Sequence, residues 1–369
     1  MSSNHTKTKL RNGGKLLSKA VNRLLPRRRW LRRLVIGLII FVVVAVGAMY
    51  GIAEWYIHSQ RSQPLEQGVS FIPDYAQSLG LDPQQTMDAL TSIGVKHFRL
   101  VSYWSDMEPT PGQYDFSQLD WEFKKAEAAH AKVILVVGLR QPRWPECHAP
   151  GWANLNQPES QWQPQLEQFM QKVIERYRGS PALQQYQLEN EYFLKGFGYC
   201  TNFSRQRLVS EYNLVKQLDP HHQIIVGRSN NTIGLPLGQP QPDEFSVSVY
   251  KRVWDANLTH RYLEYPWPAW YYGFMAGLQK IVTGKNMMIG ELQAEAWPPD
   301  GKSIQQTSLA EQNKSLDAKR LKARFQYGRA TGMRQIYLWG AEYWYYRDVK
   351  LHDPSLWNVA KQEFQNQPQ

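Results

Sequence analysis

From about residue 67 onward, short apolar runs alternate with stretches of helical periodicity. The runs cover 68–72, 97–103, 132–138, 185–191, 223–228, 244–250, 287–292 and 335–339. Several are unbroken apolar stretches, as parallel strands buried on both faces require. Helical patterns fall between and after them at 83–92, 118–130, 163–178, 205–218, 267–282, 309–331 and 354–364. Asp82-Pro83 and Asp353-Pro354 read as an N-cap followed by a first-turn proline. Only 230–243, after the fifth run, is too rich in Pro and Gly for a full helix. Eight strands with intervening helices in roughly 300 residues predict the α/β class and one closed (β/α)8 TIM barrel. A doubly wound open sheet is the alternative, but its glycine fingerprint is missing.

Ahead of this region the pattern changes. Leu34 to Ala53 is a 20-residue run without a charge. As a helix rising about 1.5 Å per residue it matches the ~30 Å hydrocarbon core of a bilayer. Arg32 and Arg33 flank it on one side, Trp55 and Tyr56 on the other, as interfacial anchors do. No face of the run is polar, which argues against a buried core helix. A cleaved signal peptide is the rival, but its apolar core is usually about 7–15 residues and its basic region short. The expected organisation is therefore a basic cytoplasmic tail (1–33), a transmembrane anchor (34–53), a polar linker (54–66) and a barrel domain (67–369). The protein would be single-pass in the cell membrane, with the barrel outside.

Charge supports that division. The formal net charge is +11, and residues 1–33 carry eleven Lys or Arg and no Asp or Glu. The rest of the chain is balanced, so the excess lies beside the membrane, and no nucleic-acid partner is expected. The two cysteines, Cys147 and Cys200, follow the third and fourth strands and are expected to be able to bridge across adjacent loops. No metal-ligand spacing and no glycine-rich phosphate loop occurs, so neither metal nor cofactor is expected.

A barrel carries its chemistry at the C-terminal strand ends. The fourth strand ends Gln187-Leu188-Glu189-Asn190-Glu191, and the seventh runs through Glu291 to Gln293, with Glu295 just beyond. Two carboxylates facing one cavity are what glycoside hydrolysis needs. One protonates the leaving oxygen, and the other attacks or activates water. Glu189 has inward parity but lies one layer deeper, and reads as structural, paired with Arg99. Glu295 falls past the strand end and is the competitor for Glu291. Strand alternation places Ile289 beneath Glu291.

These residues carry a resemblance. Asn190-Glu191 and Glu291 at the ends of strands four and seven resemble clan A of the glycoside hydrolases, which includes the cellulase-like family 5 enzymes. A second segment, with Trp104, Glu108, Pro109, Gly112, Tyr114, Asp115 and Phe116, is similar to W-x-x-x-E-P-x-x-G-x-Y-D-F of several clan A families, among them the beta-galactosidases. The resemblance covers roughly residues 67–350. It implies a retaining glycosidase with Glu191 as acid/base and Glu291 as nucleophile. It further implies Asn190 on the sugar 2-hydroxyl, Arg99 and Tyr250 on the nucleophile, and Trp339 under the reacting sugar. The third strand end, Gly138-Leu139-Arg140-Gln141-Pro142, matches no family signature, which leaves specificity open.

The chain has 14 Trp, and Trp104, Trp144, Trp152, Trp297 and Trp344 also fall after strands. Sugar rings present apolar faces that aromatics suit, so two or more of these are expected to line a cleft, with Trp104 and Trp144 as the candidate platforms, although for any one of them loop packing is the better account. The expected partner is a polysaccharide or oligosaccharide. Two other readings use the same residues: a non-catalytic carbohydrate-binding protein and a transglycosylase.

Overall fold

The computed structural model describes residues 28–194, 197–199, 203–229 and 237–366. Two compact units divide the chain at Ile52/Ala53. The first contains most of a helix, Arg29–Ser59, that is long and apolar enough to cross a membrane. Its side chains from Leu34 to Val44 are largely exposed. The helix does not stop where the apolar run does. Residues 54–59, expected to begin a linker, continue it into the second unit. There Ala53 and Tyr56 are buried, and the Tyr56 hydroxyl donates to the Met287 carbonyl at 3.4 Å.

The second unit is a closed parallel barrel. Its strands are β1 (Glu66–Ser70), β2 (His97–Val101), β3 (Lys132–Val137), β4 (Leu183–Leu188), β5 (Gln223–Arg228), β6 (Glu244–Val249), β9 (Asn286–Gln293) and β10 (Gln335–Trp339). They pair in the order β1-β10-β9-β6-β5-β4-β3-β2, so β9 and β10 are the seventh and eighth barrel strands. An antiparallel hairpin, β7 (Arg252–Asp255) with β8 (Arg261–Glu264), is inserted after β6.

Alternation along each strand divides the apolar side chains between two layers. Ile134, Ile225, Met288 and Tyr337 meet inside the barrel. A Cβ on Gly68 would lie 2.7 Å from the Tyr337 ring, so glycine there makes room for it. The opposite faces, with Leu135, Leu188, Val247, Ile289 and Leu338, pack outward on helix residues such as Leu166, Leu208 and Phe325. Each such side chain contributes about 1.5–3 kcal/mol by burial.

Most predicted elements stand where expected, to within a few residues. The stretch 309–331 is two helices, Leu309–Ser315 and Ala318–Ala330, because Leu316 is extended and Asp317 caps the second through Arg320 N at 2.7 Å. A helix over Ala341–Leu351 was not anticipated, nor was the hairpin.

Candidate active site

The barrel's C-terminal end opens into a cavity of about 450 Å3 whose lining includes Glu191, Glu291, Glu295, Tyr250 and Trp339. Another cavity, of about 360 Å3, lies at the opposite end among strand N-termini and Tyr56.

Simple alternation would not bring Glu291 into the barrel. Met288 faces the interior, Ile289 faces the helices, and Glu291 should follow Ile289 outward. The expectation that Ile289 lies beneath Glu291 is therefore corrected. A β-bulge intervenes: Val247 and Ser248 are successive on β6, yet pair with Ile289 and Glu291, which are not. The extra residue, Gly290, reverses parity, so Glu291 points inward while Leu292 returns to the outer core. Arg99 Nη1 donates to Glu291 Oε1 at 2.9 Å, and the Tyr250 hydroxyl donates to Oε2 at 2.7 Å. Both oxygens of Glu291 are thus held by hydrogen-bond donors. Burial and the charges of Glu291 and Glu191 push the Tyr250 phenol well above its usual pKa, so it stays a donor.

The end of β4 differs from the expectation. The strand stops at Leu188, and Glu189 and Glu191 take φ of +57° and +42°. These left-handed turns cost of order 1–3 kcal/mol each. Glu189 swings away from Arg99. It accepts from Leu139 N and Arg140 N, both at 2.9 Å, and pairs with Arg207 at 2.7 Å. Gln187 takes the inward place and accepts from Arg99 Nε at 2.7 Å. Asn190 Oδ1 accepts from Arg99 Nη2 at 2.8 Å. Glu191 is buried, and its Oε1 has no hydrogen-bond partner among the described residues. Burial first, and the Glu291 charge second, raise its pKa to about 7; Ser248, Arg140 and Ser229 moderate the rise.

Trp339 lies on the cavity wall, and its indole N–H donates to Glu295 Oε1 at 2.9 Å. Glu295 also pairs with Arg143 at 3.1 Å, and the Arg143 guanidinium lies between the rings of Tyr75 and Trp339. That environment holds Glu295 against the wall. Trp144, 58% exposed, and Trp297 also line the cavity. Trp104 does not. It is fully buried, stacks 6.2 Å from Phe169 and donates to Glu108 at 2.7 Å, so the Trp104–Glu108 motif braces the barrel wall. Trp344 is likewise core, and Trp152 packs edge-on against Trp104.

Several lining residues had not been singled out: Arg143 and Glu146 in the loop after β3, and Trp254 and Tyr265 at the hairpin. The available signals were the charged residues between Gly138 and Cys147, and the alternation Arg252-Val253-Trp254-Asp255. Cys147 is disulfide-bonded; Cys200 lies outside the described residues. No group of three or more His, Cys, Asp or Glu suited to a metal ion occurs among the described residues.

The beta-galactosidase family model matches residues 77–223, which includes β2, β3, β4 and Glu191 but not Glu291. No curated protein matches the chain. Among solved structures, the beta-galactosidase from the psychrophilic Marinomonas ef1 is similar at 13% identity and a TM-score of 0.52, over 82% of this chain and 59% of that one. A GH42 beta-galactosidase from G. stearothermophilus is similar at 13% identity and TM-score 0.54, over 83% and 56%. GH5_18 from Streptomyces cattleya in complex with GlcNAc is similar at 10% identity and TM-score 0.54, over 83% and 82%. The chain thus spans less than two thirds of both beta-galactosidases, and at these identities the likeness is one of fold. Over residues 77–223 the chain is similar to the beta-galactosidase family, and its barrel is the fold of these solved glycoside hydrolases.

Proposed function

We propose that the protein is a retaining O-glycosidase acting on a polysaccharide or oligosaccharide outside a membrane that residues 34–53 anchor it to. One observation carries the mechanism: two carboxyls share a cavity in opposite electrostatic settings. Glu291 is ion-paired with Arg99 and hydrogen-bonded by Tyr250, which suits an ionised nucleophile. Glu191 is raised to about 7, which suits a protonated acid.

The chemistry follows. An oxygen of Glu291 attacks the anomeric carbon as the bond to the leaving oxygen breaks. Glu191 delivers its proton to that oxygen. The glycosyl ester removes the Glu291 charge, and with it one of the causes that keep Glu191 protonated. Glu191 then takes a proton from water, whose oxygen displaces Glu291 from the anomeric carbon. Two inversions give retention. Arg99 ties this pair together, touching Glu291 directly and Glu191 through the neighbouring Asn190. Asn190 is assigned to the sugar 2-position, and Trp339 to the sugar face.

The anchor is supported by the helix that continues past the apolar run. Signal-peptide cleavage would have to cut a helix whose end, at Ala53 and Tyr56, is packed into the barrel unit.

Chemical rescue tests the assignment. Glu291→Gly with azide should form the inverted glycosyl azide from an activated aryl glycoside. Glu191→Gly with azide should form the retained one. An active Glu291→Gly beside an inactive Glu295→Gly would transfer the nucleophile role to Glu295.

A further inference from the structure

Glu146 is a third carboxyl in the catalytic cavity, and the mechanism above gives it no task. It is only 5% exposed. Its Oε2 accepts from Asn190 Nδ2 at 3.0 Å, while its Oε1 has no hydrogen bond among the described residues. The charged groups around it are Arg140, Glu191 and Glu291. Arg140 Nη2 stands 3.8 Å away, outside hydrogen-bond range, while Arg140 Nε and Nη1 bond the carbonyls of Asn190 and Phe197, both at 2.7 Å.

The side chain is held in place. Gln141 N donates to Glu146 O, and Glu146 N to Arg143 O, both at 2.8 Å. Tyr199 N donates to Pro145 O at 3.0 Å. Gly198, at φ +79°, fits closely below, where a Cβ would come within 2.7 Å of Glu146 Cβ. Rigid support of this kind is what a recognition group needs.

Burial and the two neighbouring carboxylates push Glu146 up to about 8, against the pull of Arg140 and Asn190. Arg140 faces it only at 3.8 Å and bonds elsewhere, so a nearer cation would further stabilise its ionised form. A sugar hydroxyl offers one donor and no charge. An ammonium offers three donors and cancels the charge that Glu191 and Glu291 disfavour. An acetamido group removes two of those donors and carries no charge.

We propose that Glu146 is a specificity-determining residue that reads the substituent on sugar carbon 2 and selects a 2-amino-2-deoxy glycoside through its ammonium group. The placement at carbon 2 follows from the Asn190 amide, which Glu146 shares and which the proposed function directs there. The inference therefore rests on that reading.

The test compares nitrophenyl 2-amino-2-deoxy, 2-hydroxy and 2-acetamido-2-deoxy glycosides, in gluco and galacto configurations and both anomers, on the full chain and on Glu146→Gln. The wild type should prefer an amino glycoside by at least about tenfold in kcat/KM, and Glu146→Gln should remove that preference, lowering the amino substrate at least about tenfold more than the hydroxy substrate. A wild type that favours the hydroxy or acetamido substrate overturns the proposal, as does an equal loss on all three. Binding of glucosamine and galactosamine oligomers, followed by tryptophan fluorescence, separates the two claims. Amino-oligomer binding that Glu146→Gln weakens, without hydrolysis of any substrate, supports Glu146 and sinks the glycosidase. Hydrolysis of neutral glycosides without an amino preference does the reverse. Matching thermal melts of wild type and Glu146→Gln confirm that the variant is folded.

Discussion

Arg99 spends its guanidinium on four partners: Gln187, Ser70, Glu291 and Asn190. Fully buried, it links the two strand ends that carry the carboxylates. The pH dependence follows from Glu191. The active form is protonated, so kcat/KM should fall as pH rises through about 7. Steady-state kinetics on nitrophenyl glycosides should show that descending limb, and Glu191→Gln should abolish it in the residual activity. A limb that survives in Glu191→Gln would assign the titration to another group. The placing of Glu191, Glu291, Asn190, Arg99, Tyr250 and Trp339 on or just past barrel strands was legible because the apolar runs are plain, whereas the roles proposed for them come from the family resemblance. Glu146 was not, since a loop position has no periodicity to reveal which way it points. Trp104 was misjudged for a related reason: sequence places it after β2, but only packing shows that it turns into the core.

At the scale of elements, the β9 bulge aims the proposed nucleophile, and Arg207 ties the helix Arg205–Leu218 to the end of β4. Arg207 is buried among Glu189, Glu211 and Glu159. Arg207→Leu leaves those carboxyls without their cation, and should cost about 3–5 kcal/mol. Urea unfolding measures this, and a loss within about 1 kcal/mol would show that the cluster reorganises freely. The parallel strands were legible because burial on both faces writes apolar runs. The bulge was not, because one extra residue leaves no compositional trace. Nor was the helix Ala341–Leu351, whose Tyr343, Trp344, Tyr345 and Tyr346 obscure a helical period.

For the whole molecule, the uncharged run and the barrel make separate claims. If the barrel lies outside the membrane, protease added to intact cells should remove it, and full protection against permeabilised controls would contradict the anchor's orientation. The basic tail that motivates this orientation was legible in charge alone, whereas the continuation of the helix to Ser59 required the burial of Tyr56 to be seen. The barrel's claim is that Glu291 forms a covalent bond to sugar. Incubation with activated 2-deoxy-2-fluoro glycosides, followed by peptide mass mapping, reads that bond directly. A single glycosyl adduct on Glu291 is the predicted result, and an adduct on Glu295 instead, with Glu291 unmodified, would contradict it.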